Sequence, residues 1–297
     1  MTFKSGFVSI IGKPNVGKST LLNILTKEKV AITSKKPQTT RNTIKSVVTT
    51  DDCQIIFMDT PGIHKPRNEL GKYMVGKAED SIKEVDAVLF VVEVLNKKLT
   101  TIELNIVEIL KKLKVPKILI INKIDLVKNK EEILIMIDEY NKLMDYDYVI
   151  PVSAINEEGL NQVMESVKNI LPEGPKYFPD DTLTDQPEKQ IMAEVIREKS
   201  FNLLSDEIPY GIGVEIISFK DEKEGEILSI QANLYCEKNS HKGIIIGKKG
   251  SMLKSIGTEA RKEMENLMGT KVYLELWVKV KIDWRNNKNM LKNLGYN

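Results

Sequence analysis

The sequence predicts two domains: an α/β domain built on a mostly parallel sheet with one antiparallel edge strand, then a smaller α+β domain. Three observations carry this. Up to about Leu171, short apolar runs alternate with segments of helical periodicity. Such alternation places helices on both faces of a sheet. The stretch Pro172–Pro187 then breaks the pattern with four prolines, a glycine and four acids. That composition marks a linker. Beyond it the order becomes helix, strand, strand, helix, helix, strand. The boundaries expected are residues 1–171, 172–187 and 188–297.

In chain order, strands are expected at Phe7–Ile11, Thr43–Thr49, Gln54–Met58, Ala87–Val92, Lys117–Ile121 and Tyr148–Val152. Their near-continuous apolar character suits parallel strands covered on both faces. The second and third are joined around Asp51-Asp52, too closely for a helical crossover, so they form an antiparallel hairpin. Helices are expected at Lys18–Thr26, Glu69–Glu84, Ile102–Lys112, Glu131–Leu143 and Leu160–Ile170. Thr100 with Glu103 offers a capping box for the third of these. In the second domain a helix is expected over Glu188–Ser205. Strands follow over Gly213–Phe219, Glu226–Tyr235 and Lys271–Lys281, with two helices around a glycine turn before the last.

Composition narrows the chemistry. The 297 residues are 41% hydrophobic and 29% charged, as soluble proteins are. Cys53 and Cys236 lie far apart without a partner pattern, which argues against a disulfide framework or a zinc site and for a reducing compartment. With only His64 and His241, histidine catalysis has few candidates. The start leads directly into a strand and leaves no room for a signal peptide. No apolar run is long enough to span a bilayer. The net charge of +2 is uneven: Glu237–Asn297 holds 13 Lys/Arg against 6 Asp/Glu. A basic C-terminal region suits a polyanionic partner, although a solvated lysine-rich surface would look the same.

Four segments carry the chemistry of the first domain. Gly12-Lys13-Pro14-Asn15-Val16-Gly17-Lys18-Ser19, followed by Thr20, fits the phosphate-binding loop G-x-x-x-x-G-K-[ST] between a strand and a helix. Its glycines let backbone N–H groups converge on phosphate oxygens. Lys18 reaches the β- and γ-phosphates, and the Ser19 hydroxyl ligates Mg²⁺. Asp59-Thr60-Pro61-Gly62 closes an apolar strand. A carboxylate there holds Mg²⁺ through water, and the Gly62 N–H senses a γ-phosphate. Asn122-Lys123-Ile124-Asp125 follows another buried strand. A carboxylate at Asp125 accepts the N1–H and N2–H₂ of guanine, and adenine has no donor at either place, so GTP is selected over ATP. Asn122 can tie loops together, and the Lys123 stem can cover the base. Ser153-Ala154-Ile155 follows the last strand, where the Ala154 N–H could donate to guanine O6.

One position departs from the Ras pattern, in which a Gln after the D-x-x-G glycine orients the attacking water. Here it is Ile63, which cannot hydrogen-bond water, so intrinsic hydrolysis should be slow. His64 beside it reads as an exposed loop histidine.

In the second domain Ile246-Gly247-Lys248-Lys249-Gly250-Ser251, with Lys254 beyond, places two glycines three apart with lysines between them. Such a turn joins two closely approaching helix ends and can clamp about four backbone nucleotides of single-stranded RNA. The flanking isoleucines supply core and an apolar floor. Trp277 and Trp284 are candidates for stacking on bases; Trp277, alternating with apolar residues, reads rather as core.

In combination these motifs resemble the Era family: an α/β P-loop GTPase domain plus a smaller α+β type II KH domain. A single phosphate loop argues against the related double-GTPase family. By the resemblance Gln38-Thr39-Thr40-Arg41 is the first switch segment and Thr40 coordinates Mg²⁺, although Thr39 beside it has the same hydroxyl. The resemblance implies catalytic roles for Lys18, Thr40 and Gly62, and K⁺ held beside the phosphates by Asn15. It further implies a GTP/GDP switch with Mg²⁺ that binds 16S rRNA near its 3′ end and assists 30S subunit maturation. A cytoplasmic monomer with some peripheral inner-membrane contact is implied as well. The alternatives are a nucleotide-dependent switch with negligible hydrolysis, and a membrane or cell-cycle switch whose KH-like domain docks protein.

Overall fold

The computed structural model describes residues 2–34, 36, 39–94, 99–222 and 226–296. The chain forms two compact units, of residues 1–31, 40–65 and 74–185, and of residues 32–39, 66–73 and 186–297.

The first unit contains a six-stranded sheet in the order β2-β3-β1-β4-β5-β6. Its strands are β1 (Lys4–Ile11), β2 (Ile44–Thr49), β3 (Cys53–Asp59), β4 (Ala87–Glu93), β5 (Lys117–Asn122) and β6 (Tyr148–Val152). All neighbours are parallel except β2 and β3, the expected hairpin. Successive residues serve opposite cores. Leu89, Val91, Ile118 and Ile120 enter one cluster. Val88, Phe90, Val92, Leu119 and Ile121 enter the other. Continuous apolar runs are therefore required here, because no strand position in the sheet centre faces water.

The helices are α1 (Lys18–Thr26), α2 (Glu69–Asp80), α3 (Thr101–Leu110), α4 (Glu131–Asn141) and α5 (Leu160–Ile170). The second ends four residues before the expected Glu84. The Thr100–Glu103 capping box is present, with the Glu103 carboxylate accepting from the Thr100 N–H at 2.8 Å. Part of the stretch read as a linker lies along the sheet edge. Val47 N–H donates to Leu183 O at 2.9 Å, and the buried Gln54 amide bonds the backbone of Tyr177 and Phe178. An edge strand leaves backbone groups unpaired, and this irregular segment satisfies them.

The second unit contains α6 (Glu188–Leu203), β7 (Gly213–Glu222), β8 (Ile227–Cys236), α7 (Asn239–Ile246), α8 (Ser251–Met268), β9 (Lys271–Val280) and α9 (Lys288–Asn293). Its three-stranded sheet has the order β7-β8-β9, antiparallel then parallel. Met192, Ile196, Ile256, Ala260 and Met264 of the helices cover Ile230, Ala232, Leu234 and Val278 of the sheet. Segment 32–39 belongs to this unit: the buried Arg197 donates to Thr39 O, and Glu198 accepts from Thr33 N–H at 3.1 Å.

The tryptophans differ from expectation. Trp277 is 42% exposed, whereas Val278 beside it is buried. Successive residues of β9 point to opposite faces of the sheet, and Val278, not Trp277, packs in the core cluster. Trp284 is 1% exposed and donates from Nε1 to Gly211 O at 2.8 Å. It is a core residue of the C-terminal turn and offers no face to a base. The helix α9 has no counterpart among the sequence expectations. No described helix is long and apolar enough to cross a membrane.

Candidate nucleotide site and RNA-clamp loop

The phosphate loop connects β1 to α1. Its Lys18 side chain is buried and donates to Gly12 O at 3.1 Å and Lys13 O at 2.9 Å. Burial lowers its pKa to about 8, and the negative charge of Asp59 opposes that shift. Asp59, at the end of β3, is fully buried and pushed above the ordinary carboxylate range by burial, against the pull of Lys18, Ser19 and Thr40. Each charge is therefore desolvated, which fits a pocket that a phosphate and a cation complete.

Ser19, Thr40 and Asp59 meet at one point. Ser19 Oγ donates to Asp59 Oδ2 at 2.6 Å, Thr40 Oγ1 donates to the same oxygen at 3.0 Å, and the two hydroxyls are 2.8 Å apart. Asp59 Oδ1 is buried without a hydrogen-bond partner. Two hydroxyls and a carboxylate with an orphaned oxygen form a hard-oxygen set that fits Mg²⁺ bound partly through water. No group of three or more His, Cys, Asp or Glu suited to a metal occurs among the described residues. Two hydroxyls, rather than further carboxylates or imidazoles, complete the oxygen set here.

Gly62 packs tightly against the loop. A Cβ there would lie 2.6 Å from Pro14 N and 2.7 Å from Pro14 Cα, so any side chain separates the two segments. Ile63 N–H donates to Gly12 O at 3.1 Å. The Ile63 side chain is buried in the core cluster, which accounts for an apolar residue there. His64 is half-buried rather than exposed, with Nδ1 2.7 Å from Gly62 O.

The base-side loops converge as expected. Asn122 is buried; its Nδ2 donates to Val16 O at 2.9 Å and its Oδ1 accepts from Ala154 N–H at 3.1 Å. One amide thus ties three loops. The Ala154 N–H is engaged by Asn122 in this structure. Asp125 is exposed, and its Oδ1 accepts from Ser153 Oγ at 2.6 Å. That bond aims the carboxylate while Ile155 stays exposed at the rim. Lys123 Nζ donates to Asn15 O at 2.7 Å. Asn15 and Lys123 both adopt left-handed backbone, with φ of 68° and 66°. This conformation is uncommon for residues with a side chain and clusters at functional sites. Thr20 continues α1 half-buried, and Gln38 lies outside the described residues.

In the second unit the loop between α7 and α8 is a tight turn. Gly247 has φ of 73°, and a Cβ there would meet Met252 N at 2.8 Å. Lys249 is left-handed with φ of 52°. Lys248, Lys249 and Lys254 are exposed, as is Ser251, while Ile245 and Ile256 anchor the turn in the core. Ile246 is half-buried, and Ile244, 51% exposed, lies outside the core. A cationic turn on fixed helix ends is suited to a phosphodiester backbone.

The architecture and the two sites define a P-loop GTPase that carries a C-terminal KH domain. A family model described as a 50S ribosome-binding GTPase matches residues 7–123, and one for the KH domain matches residues 207–285. The chain is 57% identical over 296 residues to GTPase Era of Ruminiclostridium cellulolyticum, covering 100% of this chain and 98% of that protein. It is 50% identical over 295 residues to GTPase Era of Clostridioides difficile, covering 99% of each. It therefore belongs to the Era family and is a GTP-hydrolysing enzyme. Two crystal structures superpose with TM-scores of 0.95 at 40% identity, each over 99% of both chains. One is Era in complex with MgGDPNP and nucleotides 1506–1542 of 16S ribosomal RNA; the other is an Aquifex aeolicus Era variant bound to GDP·AlF4⁻.

Proposed function

We propose that this chain is a slow GTP-driven switch that binds small-subunit ribosomal RNA near its 3′ end and assists maturation of the 30S subunit. The observation that carries the reading is the exposed Lys248–Lys249 turn between Gly247 and Gly250, in a chain that also holds a guanine-nucleotide site. A GTPase that served only as a timer would have no use for a cationic clamp. The domains run over residues 1–171 and 188–297, with 172–187 between them.

Each site residue has a role in this reading. The loop Gly12–Thr20 cradles the phosphates, and Lys18 neutralises charge that develops on them. Ser19 and Thr40 ligate Mg²⁺ directly and Asp59 through water. Mg²⁺, when bound, draws charge from the phosphate oxygens. The Gly62 N–H contacts the γ-phosphate, and Thr60, Pro61 and Ile63 hold that backbone against the loop. Asp125 reads guanine, with Asn122, Lys123, Ile124, Ser153, Ala154 and Ile155 shaping its pocket. Asn15 holds K⁺, which takes the place of a water-orienting side chain. Ile246–Ser251 and Lys254 grip the RNA backbone. The protein acts as a cytoplasmic monomer with peripheral contact at the inner membrane.

The test combines two measurements on the full chain. Phosphate release from GTP is followed with and without a short RNA matching the 3′ end of 16S rRNA, in matched KCl and NaCl buffers. Filter binding of the same RNA is run across a salt series. Release above background that rises in K⁺, with RNA affinity that weakens as salt rises, is expected. No RNA binding at low salt overturns the RNA reading, and equal rates in the two salts overturn the K⁺ assignment.

A further inference from the structure

Glu93 closes β4 opposite Asn122 of β5, in register with it. Its side chain is 16% exposed and, among its described contacts, meets two lysines from different loops. Oε1 lies 3.2 Å from Lys13 Nζ, and Oε2 lies 2.6 Å from Lys123 Nζ. Lys13 belongs to the phosphate loop, and its ammonium is also 3.5 Å from the buried Glu103 Oε1 of α3. Lys123 belongs to the base-side loop and reaches back to Asn15 O.

This arrangement does more than neutralise charge. The Lys123 ammonium sits on a flexible four-carbon stem, so the backbone conformation alone does not fix where it goes. Three donors on a flexible stem need fixed acceptors to hold one pose. Asn15 O and Glu93 Oε2 supply two. The second oxygen of the same carboxylate engages Lys13, which keeps that cation on the Glu93 side. Lys13 and Lys123 are both largely covered, at 12% and 22% side-chain exposure, so solvent screens the pairs only in part.

We propose that Glu93 is a positioning residue for guanine-nucleotide binding: one carboxylate bridges the phosphate loop to the base-covering lysine and sets the residence time of the nucleotide. The inference rests on the reading of Asn122–Asp125 as the guanine loop. Lys123 covers the base, which is the same in GTP and GDP. Losing its pose therefore weakens both nucleotides alike and leaves the chemical step alone, the signature of uniform binding.

The experiment measures dissociation of a fluorescent GDP and of a fluorescent non-hydrolysable GTP analogue from the full chain. The variants are E93A, E93Q, K123A and the E93A/K123A double. E93A should speed release of both nucleotides about tenfold, the size expected for one charge-assisted bond in a partly covered site. E93Q, which keeps one acceptor but loses the charge, should fall between E93A and wild type. The double variant should release more slowly than the product of the two single effects, because the two residues share the Lys123 pose. The turnover number at saturating GTP should stay within about twofold of wild type for E93A. A merely structural role would lower the melting temperature without this non-additivity. Release from both E93A and E93Q within twofold of wild type, or additive effects in the double variant, overturns the proposal. If wild type fails to hold GDP at all, the guanine-site reading falls as well, which separates the two failures.

Discussion

Replacing Asn122 with Ala tests how the pocket is held together. The buried amide makes two bonds, to Val16 O at 2.9 Å and from Ala154 N–H at 3.1 Å. Both partners are backbone groups of loops proposed to form the nucleotide pocket, and Val16 and Ala154 are themselves buried. Alanine leaves one carbonyl and one N–H without these partners. Each such loss costs roughly 1–3 kcal/mol, so the pair costs about 3 kcal/mol when water reaches one of them. For a domain of this size that lowers Tm by about 6–12 °C. Nucleotide should restore part of the loss, because ligand binding orders the same loops. The assay is scanning calorimetry of the full chain with and without GDP, beside a fluorescent-GDP titration. A Tm within about 2 °C of wild type together with an unchanged Kd would refute the view that Asn122 is the tie between loops.

Three further outcomes follow from the same reasoning. Gly62→Ala forces the Asp59–Gly62 segment off Pro14 by several tenths of an ångström; phosphate release should slow by up to about a hundredfold, with GDP affinity changing far less, and a rate within threefold would contradict the close-approach argument. K248D/K249D should abolish RNA retention on filters while leaving fluorescent-GDP binding intact; replacing both lysines with Ala should reduce the salt slope by about 1.4, two contacts on a single strand. Trp284→Ala, which empties a buried indole site, should cost about 3–5 kcal/mol, whereas Trp277→Ala on the open face of β9 should change stability by less than about 0.5 kcal/mol. Equal losses in the last pair, read by denaturant unfolding, would restore Trp277 to the core.

Most of the candidate nucleotide site is legible in the sequence because its signals are local. The phosphate loop is a contiguous pattern whose strand and helix are set by short-range periodicity; Asp59 ends β3, and Asp125 lies three residues past the end of β5. The KH turn was legible for the same reason, since Gly247 and Lys249 meet a conformational demand within four residues. Other features depend on what lies across the fold. Alternation along β9 assigns residues to two faces but not which face the helices cover, and Trp277, read as core from that alternation, is 42% exposed. Trp284 is buried by Gly211, Gly213 and Tyr296, none of which is near it in sequence except the last. The composition of Pro172–Pro187 suggests a free connection, yet Leu183 and Gln54 show it satisfying a sheet edge. Glu93 carries no motif of its own. Its role emerges only where β4 brings it between two loops that sequence keeps 110 positions apart, at Lys13 and Lys123.

The central claim is that a guanine nucleotide is selected by the Asp125 carboxylate, held in aim by Ser153. Asp125→Asn tests it most directly, in a competition between GTP and xanthosine triphosphate for the fluorescent-GDP site. The amide donates where the carboxylate accepted, so GTP should lose affinity and the xanthine nucleotide gain it. Unchanged GTP affinity in this variant would contradict the account.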